Sequence, residues 1–167
     1  MSYTVTIYAS QDCYTDNTEP TVAHNTAGLF VKPTNDLVTF VQFDLSGLIG
    51  KNIESVVWKT YAYINSSGTT MSLYRAADSW DEATLRYTTI VAKTGSQMAS
   101  VSTGGTTGWK TSGAFDLDEF YAMMQTNNGI RIDGAAGQIN MYSSEGTNPH
   151  YLEVTIRDSK RVTILKG

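Results

Sequence analysis

The residues able to do chemistry are few and scattered. Acidic pairs stand at Asp81-Glu82 and Asp118-Glu119, and paired carboxylates are what cleavage of a glycosidic bond uses. Neighbours on a strand point to opposite faces, so neither pair is built to flank one bond. His24 and His150 could act as bases beside a Ser or Cys nucleophile, yet they lie far apart in the chain and nothing in the spacing brings them to one. No G-x-S-x-G elbow, H-E-x-x-H, P-loop or dinucleotide fingerprint occurs. The single cysteine, Cys13, excludes an internal disulfide framework and any Cys-based zinc site. The chain reads as non-catalytic.

Two binding chemistries are left. Asp12, Asp16 and Glu19 are oxygen donors in one turn-rich segment, which reads either as a loop tied down by a structural calcium or as a solvated acidic loop. No EF-hand spacing accompanies them, and no other cofactor is implied. The second chemistry is aromatic. Flat rings stack on the apolar faces of pyranose sugars while polar neighbours fix orientation. Tyr61 and Tyr63 share one face of their segment, and Trp109 and Tyr142 join them as the candidate ligand-binding set. Tyr87 is a further ring of this kind. Trp109 follows Gly-Gly-Thr-Thr-Gly and is the ring most expected to be exposed. The alternative for these rings is ordinary packing on a sheet surface. Trp58, opposite in phase to Tyr61 and Tyr63, belongs to the core with Val56 and Ile64.

Strands must position these residues. Val5, Ile7 and Ala9 alternate with Thr4, Thr6 and Tyr8, the period of a half-buried strand that starts at the first residues. Residues 11–27 read as turn-rich, followed by Leu29-Phe30-Val31 and a stop at Pro33. Strands are then expected at 38–45, 53–64 and 71–75, with a turn at Asn65-Ser66-Ser67-Gly68. Residues 96–107 are small, polar and Gly-rich and read as a long loop with at most one short strand. One helix is expected near 117–126: Asp116 and Glu119 have capping-box spacing, Leu117, Phe120, Tyr121 and Met124 share a face, and Asn127-Asn128-Gly129 ends it. Strand periodicity returns at 129–132, 139–142 and 151–157. Such a pattern predicts an all-β chain, an antiparallel β-sandwich of jelly-roll type with one short α-helix.

Composition narrows the partners. The 167 residues suit one domain, taken as 1–158, with 159–167 as a short basic extension or extra strand. Thr and Ser number 38 and Tyr 10, which favours strands over helices. A net charge of −4 argues against nucleic acid or an anionic membrane surface as partner. No apolar run approaches the ~20 residues of a membrane span.

Several segments, in order, resemble the DNRLRE-type modules, a β-sandwich family that includes alginate- and other polysaccharide-binding modules. Ala9-Ser10-Gln11-Asp12-Cys13-Tyr14 is similar to that family's opening Ala-Asp-x-Tyr, with an insertion. Phe43-Asp44-Leu45-Ser46-Gly47-Leu48 with Ile53-Glu54-Ser55-Val56 resembles its F-D-L-S-x-L and I-x-S-A strand pair. Trp80 to Tyr87 resembles W-x-E-x-T-L-x-W, with Tyr in the last place, and Trp109 with Phe115-Asp116-Leu117 its entry to a helix. Tyr142 to Glu145, Pro149 and Tyr151 to Val154 resemble its close. The resemblance implies a non-catalytic module in which Asp44, Glu82 and Glu145 accept loop amides rather than ligand.

Two functions remain open. The first strand begins without a basic n-region or apolar h-region, which leads to the expectation of a virion component: a structural protein decorating a capsid or built into a tail or fibre. Val162, Ile164 and Leu165 would then contact other virion proteins or a second copy by strand addition, unless they form an extra strand or a frayed end. The alternative is a carbohydrate-binding module of an extracellular protein, with a polysaccharide as partner.

Overall fold

The structure is a computed structural model describing residues 1–26, 28–33, 36–65 and 70–158. Ten strands and one α-helix occur among them: β1 (Ser2–Thr15), β2 (Gly28–Val31), β3 (Val38–Phe43), β4 (Asn52–Asn65), β5 (Thr70–Ala76), β6 (Lys93–Ser102), β7 (Gly108–Thr111), α1 (Leu117–Thr126), β8 (Ile130–Gly134), β9 (Ile139–Tyr142) and β10 (Tyr151–Arg157). All pairings are antiparallel. They form the two layers of a β-sandwich, the expected fold class.

β1 belongs to both layers. Its first half pairs with β10, from Ser2↔Arg157 to Tyr8↔Tyr151. A register shift between Ala9 and Gln11 then turns the chain, and its second half pairs with β3 as far as Thr15↔Val38. An extra residue in one strand bends it and increases its twist, which lets one strand cross from layer to layer. The turn-rich reading of residues 11–27 therefore fails over Gln11 to Thr15. Polar side chains hid that half-strand, because Asp12 and Thr15 are buried there beside Cys13.

The first layer holds β2, β9, β4, β10, the start of β1, and β7; the second holds the end of β1, then β3, β8, β5 and β6. Between them lies the main core, with Val56, Trp58, Leu152 and Val154 from one layer against Val41, Phe43, Ile132 and Leu73 from the other. Helix α1 presses Phe120 and Met123 onto the same core. Its start is as expected, with the Glu119 N–H donating to the Asp116 carboxylate, and Asn127 ends it in the left-handed conformation. The periodic face omitted Met123, which is buried.

The outer face of the second layer is closed. Phe40, Val38, Cys13 and Ala76 pack there against Trp80 and Leu85 from the segment after β5. The Trp80 indole N–H donates to the Asn128 carbonyl at 2.8 Å. Trp80 and Leu85 of the Trp80 to Tyr87 motif thus serve packing. Residues 96–107, expected to be a loop with at most one short strand, contribute most of the ten-residue β6, which runs along β5 from Ser102↔Thr70 to Lys93↔Ala76. Pairing with β5 and burial of Met98, Ala99 and Val101 override the weak local propensity of its Ser and Gly residues.

Candidate functional site

The outer face of the first layer is the open one, and its central strand is β4. Val56, Trp58, Thr60 and Ala62 are buried, so the alternation sends Val57, Lys59, Tyr61 and Tyr63 outward. Lys59 pairs with Tyr151 and with Thr111, and Ala62 with Met141 and with Gly108. β7 therefore runs along one edge of β4 while β10 and β9 follow each other along the opposite edge. That arrangement delivers aromatic side chains to the centre of one face from both sides.

Six rings join there in one ribbon. Tyr8 of β1 lies 5.5 Å from Tyr151 of β10, and Tyr151 5.5 Å from Trp109 of β7. Trp109 meets Tyr61 at 5.6 Å, Tyr61 meets Tyr142 at 5.8 Å, and Tyr142 meets Tyr63 at 4.9 Å, all between ring centroids. Tyr8 is 59% exposed and Trp109 47% exposed, so the ribbon is wet at one end and in its middle. Trp109, Tyr61, Tyr63 and Tyr142, the candidates from the sequence, are all in it. Tyr8 and Tyr151 were missed, although each stands out of phase with its strand's inward-facing residues, the partly buried Val5 and Ile7 in one case and the buried Leu152 and Val154 in the other. That outward phase was the available signal.

The ribbon's far end is closely fitted. A Cβ on Gly28 would stand 2.5 Å from the Tyr63 hydroxyl, so Gly28 is what lets that ring lie down on β2. Beyond it Tyr14 stacks on His24 at 4.4 Å and meets Phe30 at 4.7 Å. Ile64, expected in the core, is 51% exposed instead. A register shift between Ala62 and Ile64 against β9 breaks the alternation just before the strand ends.

A buried polar couple braces the ribbon from beneath. Asp12 Oδ2 accepts the Ser144 N–H at 2.6 Å and lies 3.2 Å from His150 Nε2, with both side chains fully buried. His150 Nδ1 is 3.3 Å from the Tyr142 carbonyl oxygen. The turn 143–150, which joins Tyr142 to Tyr151, is thereby fastened to β1. Asp12, one of the three oxygen donors weighed for calcium against a solvated loop, is engaged in this contact. Asp16 instead accepts the Thr18 N–H at 2.7 Å, and Glu19 lies 3.5 Å from His24. Among the described residues no group of three His, Cys, Asp or Glu is placed to hold a metal ion.

The remaining candidates are elsewhere. The Tyr87 hydroxyl donates to Asp36 at 3.2 Å, away from the ribbon. Asp44 accepts the Ser46 N–H and Glu82 the Asp12 N–H, both at 3.0 Å, as the resemblance implied. Glu145 accepts the Ser144 hydroxyl rather than an amide. Burial, followed by Asp12, Glu82 and Asp81, pushes the Cys13 thiol far above its ordinary value, so it makes a poor nucleophile. Val162, Ile164 and Leu165 lie outside the described residues. No helix among the described residues is long and apolar enough to cross a membrane.

Aromatic rings on an open sheet face are able to stack on sugars, and a comparison with protein families bears on the chain as a whole. The model of carbohydrate-binding module family 96 matches residues 3–156, nearly the whole chain. The chain belongs to that family. Carbohydrate-binding modules are in general non-catalytic, in keeping with the absence of a recognisable catalytic motif. The match favours the carbohydrate-binding alternative over the virion role, to which it lends no support. No curated protein matches this family 96 chain.

Proposed function

We propose that the chain is a binding module that holds polysaccharide on the outer face of its first layer, through Tyr8, Tyr151, Trp109, Tyr61, Tyr142 and Tyr63. The observation that carries this reading is the continuity of the ribbon. Six rings from five strands touch one after another, with no gap wider than 5.8 Å between centroids. Packing on the sheet surface accounts for the contacts between rings, and Tyr8 and Trp109 within that run keep their faces open to water. Each ring offers an apolar surface, and the tyrosine hydroxyls, the indole N–H and the neighbouring Thr111 and Thr6 supply polar partners for sugar hydroxyls.

Single alanine substitutions along the ribbon test it, read by affinity electrophoresis in soluble polysaccharides and by calorimetry. A stacking contact of about 1 kcal/mol corresponds to about a fivefold loss of affinity, and a central ring touching two sugars to tenfold or more. Trp109→Ala and Tyr61→Ala are therefore expected to weaken binding most, with Tyr87→Ala as the unchanged control. Binding that survives both central substitutions intact would remove the ribbon as the site.

A further inference from the structure

We infer that the chain pairs with a second copy of itself along the free edge of β1, through Ser2 to Tyr8. The pairing concerns the rim of the first layer and is independent of what the aromatic face holds.

β1 is the outermost strand of the first layer until it crosses to β3 at Ala9. The Met1 carbonyl accepts the Asp158 N–H at 2.9 Å, and the Ala9 N–H donates to the His150 carbonyl at 3.3 Å. Between those contacts the register runs unbroken from Ser2↔Arg157 to Tyr8↔Tyr151. Residues of an antiparallel pair alternate between hydrogen-bonded and non-hydrogen-bonded positions. Tyr3, Val5 and Ile7 therefore turn their backbone groups to β10, and Ser2, Thr4 and Thr6 turn theirs away from the sheet. Among the described residues no backbone group meets them. Natural proteins guard such an edge with Lys, Pro or a bulge. The run Ser2-Tyr3-Thr4-Val5-Thr6-Ile7-Tyr8 has none of these.

The inner side of this edge is also incomplete. Val5 and Ile7 face the core yet are only half-buried, and Tyr3 is 41% exposed. All three line an open groove of about 360 Å³, with Asp44, Leu48 and Lys51 across from them. A second copy supplies what the edge lacks. A two-fold axis at Thr4, perpendicular to the sheet, sets Thr4 against Thr4, Ser2 against Thr6 and Tyr3 against Val5 of the other copy. Every free N–H of Ser2, Thr4 and Thr6 on one strand then meets a free C=O on the other. The same register keeps the apolar residues of both strands on the inner side, where Tyr3 and Val5 of the added strand extend the apolar wall of the groove. Each copy also brings Asp44 and Lys51 to the seam, opposite charges that a self-complementary interface sets against each other. The two first layers become one sheet, with both aromatic faces pointing the same way.

Sedimentation equilibrium of the full-length chain between about 10 µM and about 1 mM tests the pairing. The mass is expected to rise with concentration from 18.3 kDa toward twice that value. Hydrogen exchange at the Thr4 and Thr6 amides should slow by about tenfold or more over the same range. Thr4→Pro removes the central donor but leaves the bonds to β10, because the lost N–H faces outward. It should weaken the dimer at least about tenfold without lowering the urea midpoint of the monomer. Thr4→Lys keeps the backbone intact and sets two ammonium groups opposite each other. Its dimer should be weak at ~0.01 M salt and recover at ~1 M, where screening acts within about 3 Å. A monomer at every concentration overturns the inference, and so does a dimer that both variants leave intact. Thr4 and Thr6 amides that exchange slowly in a monomeric chain overturn it as well, because the chain then covers its own edge.

Discussion

Replacing Asp12 by Ala should unfold the link between fold and ribbon, because one buried carboxylate secures the turn between two of its strands. Asp12 and His150 are both fully enclosed, 3.2 Å apart, and Asp12 also takes the Ser144 N–H at 2.6 Å. The substitution leaves His150 facing a void and the Ser144 amide without its acceptor. Leaving the Ser144 amide and the His150 ring without a polar partner in a buried site costs about 1–3 kcal/mol each, a large share of the ~5–15 kcal/mol that holds a domain together. Asp12→Asn keeps an acceptor for Ser144 and should cost less, about 1–3 kcal/mol. Urea unfolding followed by tryptophan fluorescence gives both values, since Trp58 lies 6.0 Å from the His150 ring. Because His150 also reaches the Tyr142 carbonyl and precedes Tyr151, glycan affinity should fall in the same order, Asp12→Ala below Asp12→Asn below the unaltered chain. A double-mutant cycle with His150→Ala isolates the pair. An Asp12→Ala loss below about 1 kcal/mol, or full additivity in the cycle, would refute the bracing role.

Two further substitutions probe the ends of the molecule. Gly28→Ala places a methyl group 2.5 Å from the Tyr63 hydroxyl, displacing that ring. Long oligosaccharides should bind more weakly while short ones and the melting temperature change little, and equal loss for all lengths would contradict it. Glu119 ties α1 to the second layer, accepting the Ser96 N–H at 2.8 Å and the Arg75 Nε–H at 2.6 Å. Those contacts, the Ser96 bond first, hold its carboxyl below the ordinary value. Its stabilisation is therefore complete above the unfolded carboxylate value and is lost as pH falls through the lower folded value. Glu119→Gln should lower the neutral-pH stability by about 1–2 kcal/mol, with the gap closing in acid, and a gap that persists at pH well below the carboxylate range would be inconsistent with this account.

Much of the fold was legible because alternation is a local property. Val5, Ile7 and Ala9, or Leu152, Val154 and Ile156, declare their buried face within a few residues, and Asp116 with Glu119 declares the helix start in the same way. Failures came where partners far along the chain overrule local preference. Gln11 to Thr15 became strand through β3, residues 96–102 through β5, and Ile64 left the core at a register shift set by β9.

The sequence by itself determined that this is a Thr-, Ser- and Tyr-rich, mildly acidic β-sandwich without a catalytic motif, and it named four of the ribbon's six rings. That those rings form one surface was decided by the tertiary structure. Tyr8, Tyr61, Trp109, Tyr142 and Tyr151 become neighbours only through the registers Tyr8↔Tyr151, Lys59↔Tyr151, Tyr61↔Trp109 and Ala62↔Met141. The pairing of Asp12 with His150 likewise joins opposite ends of the chain. Registers are set by core packing summed over both layers, a quantity that no local window of sequence contains.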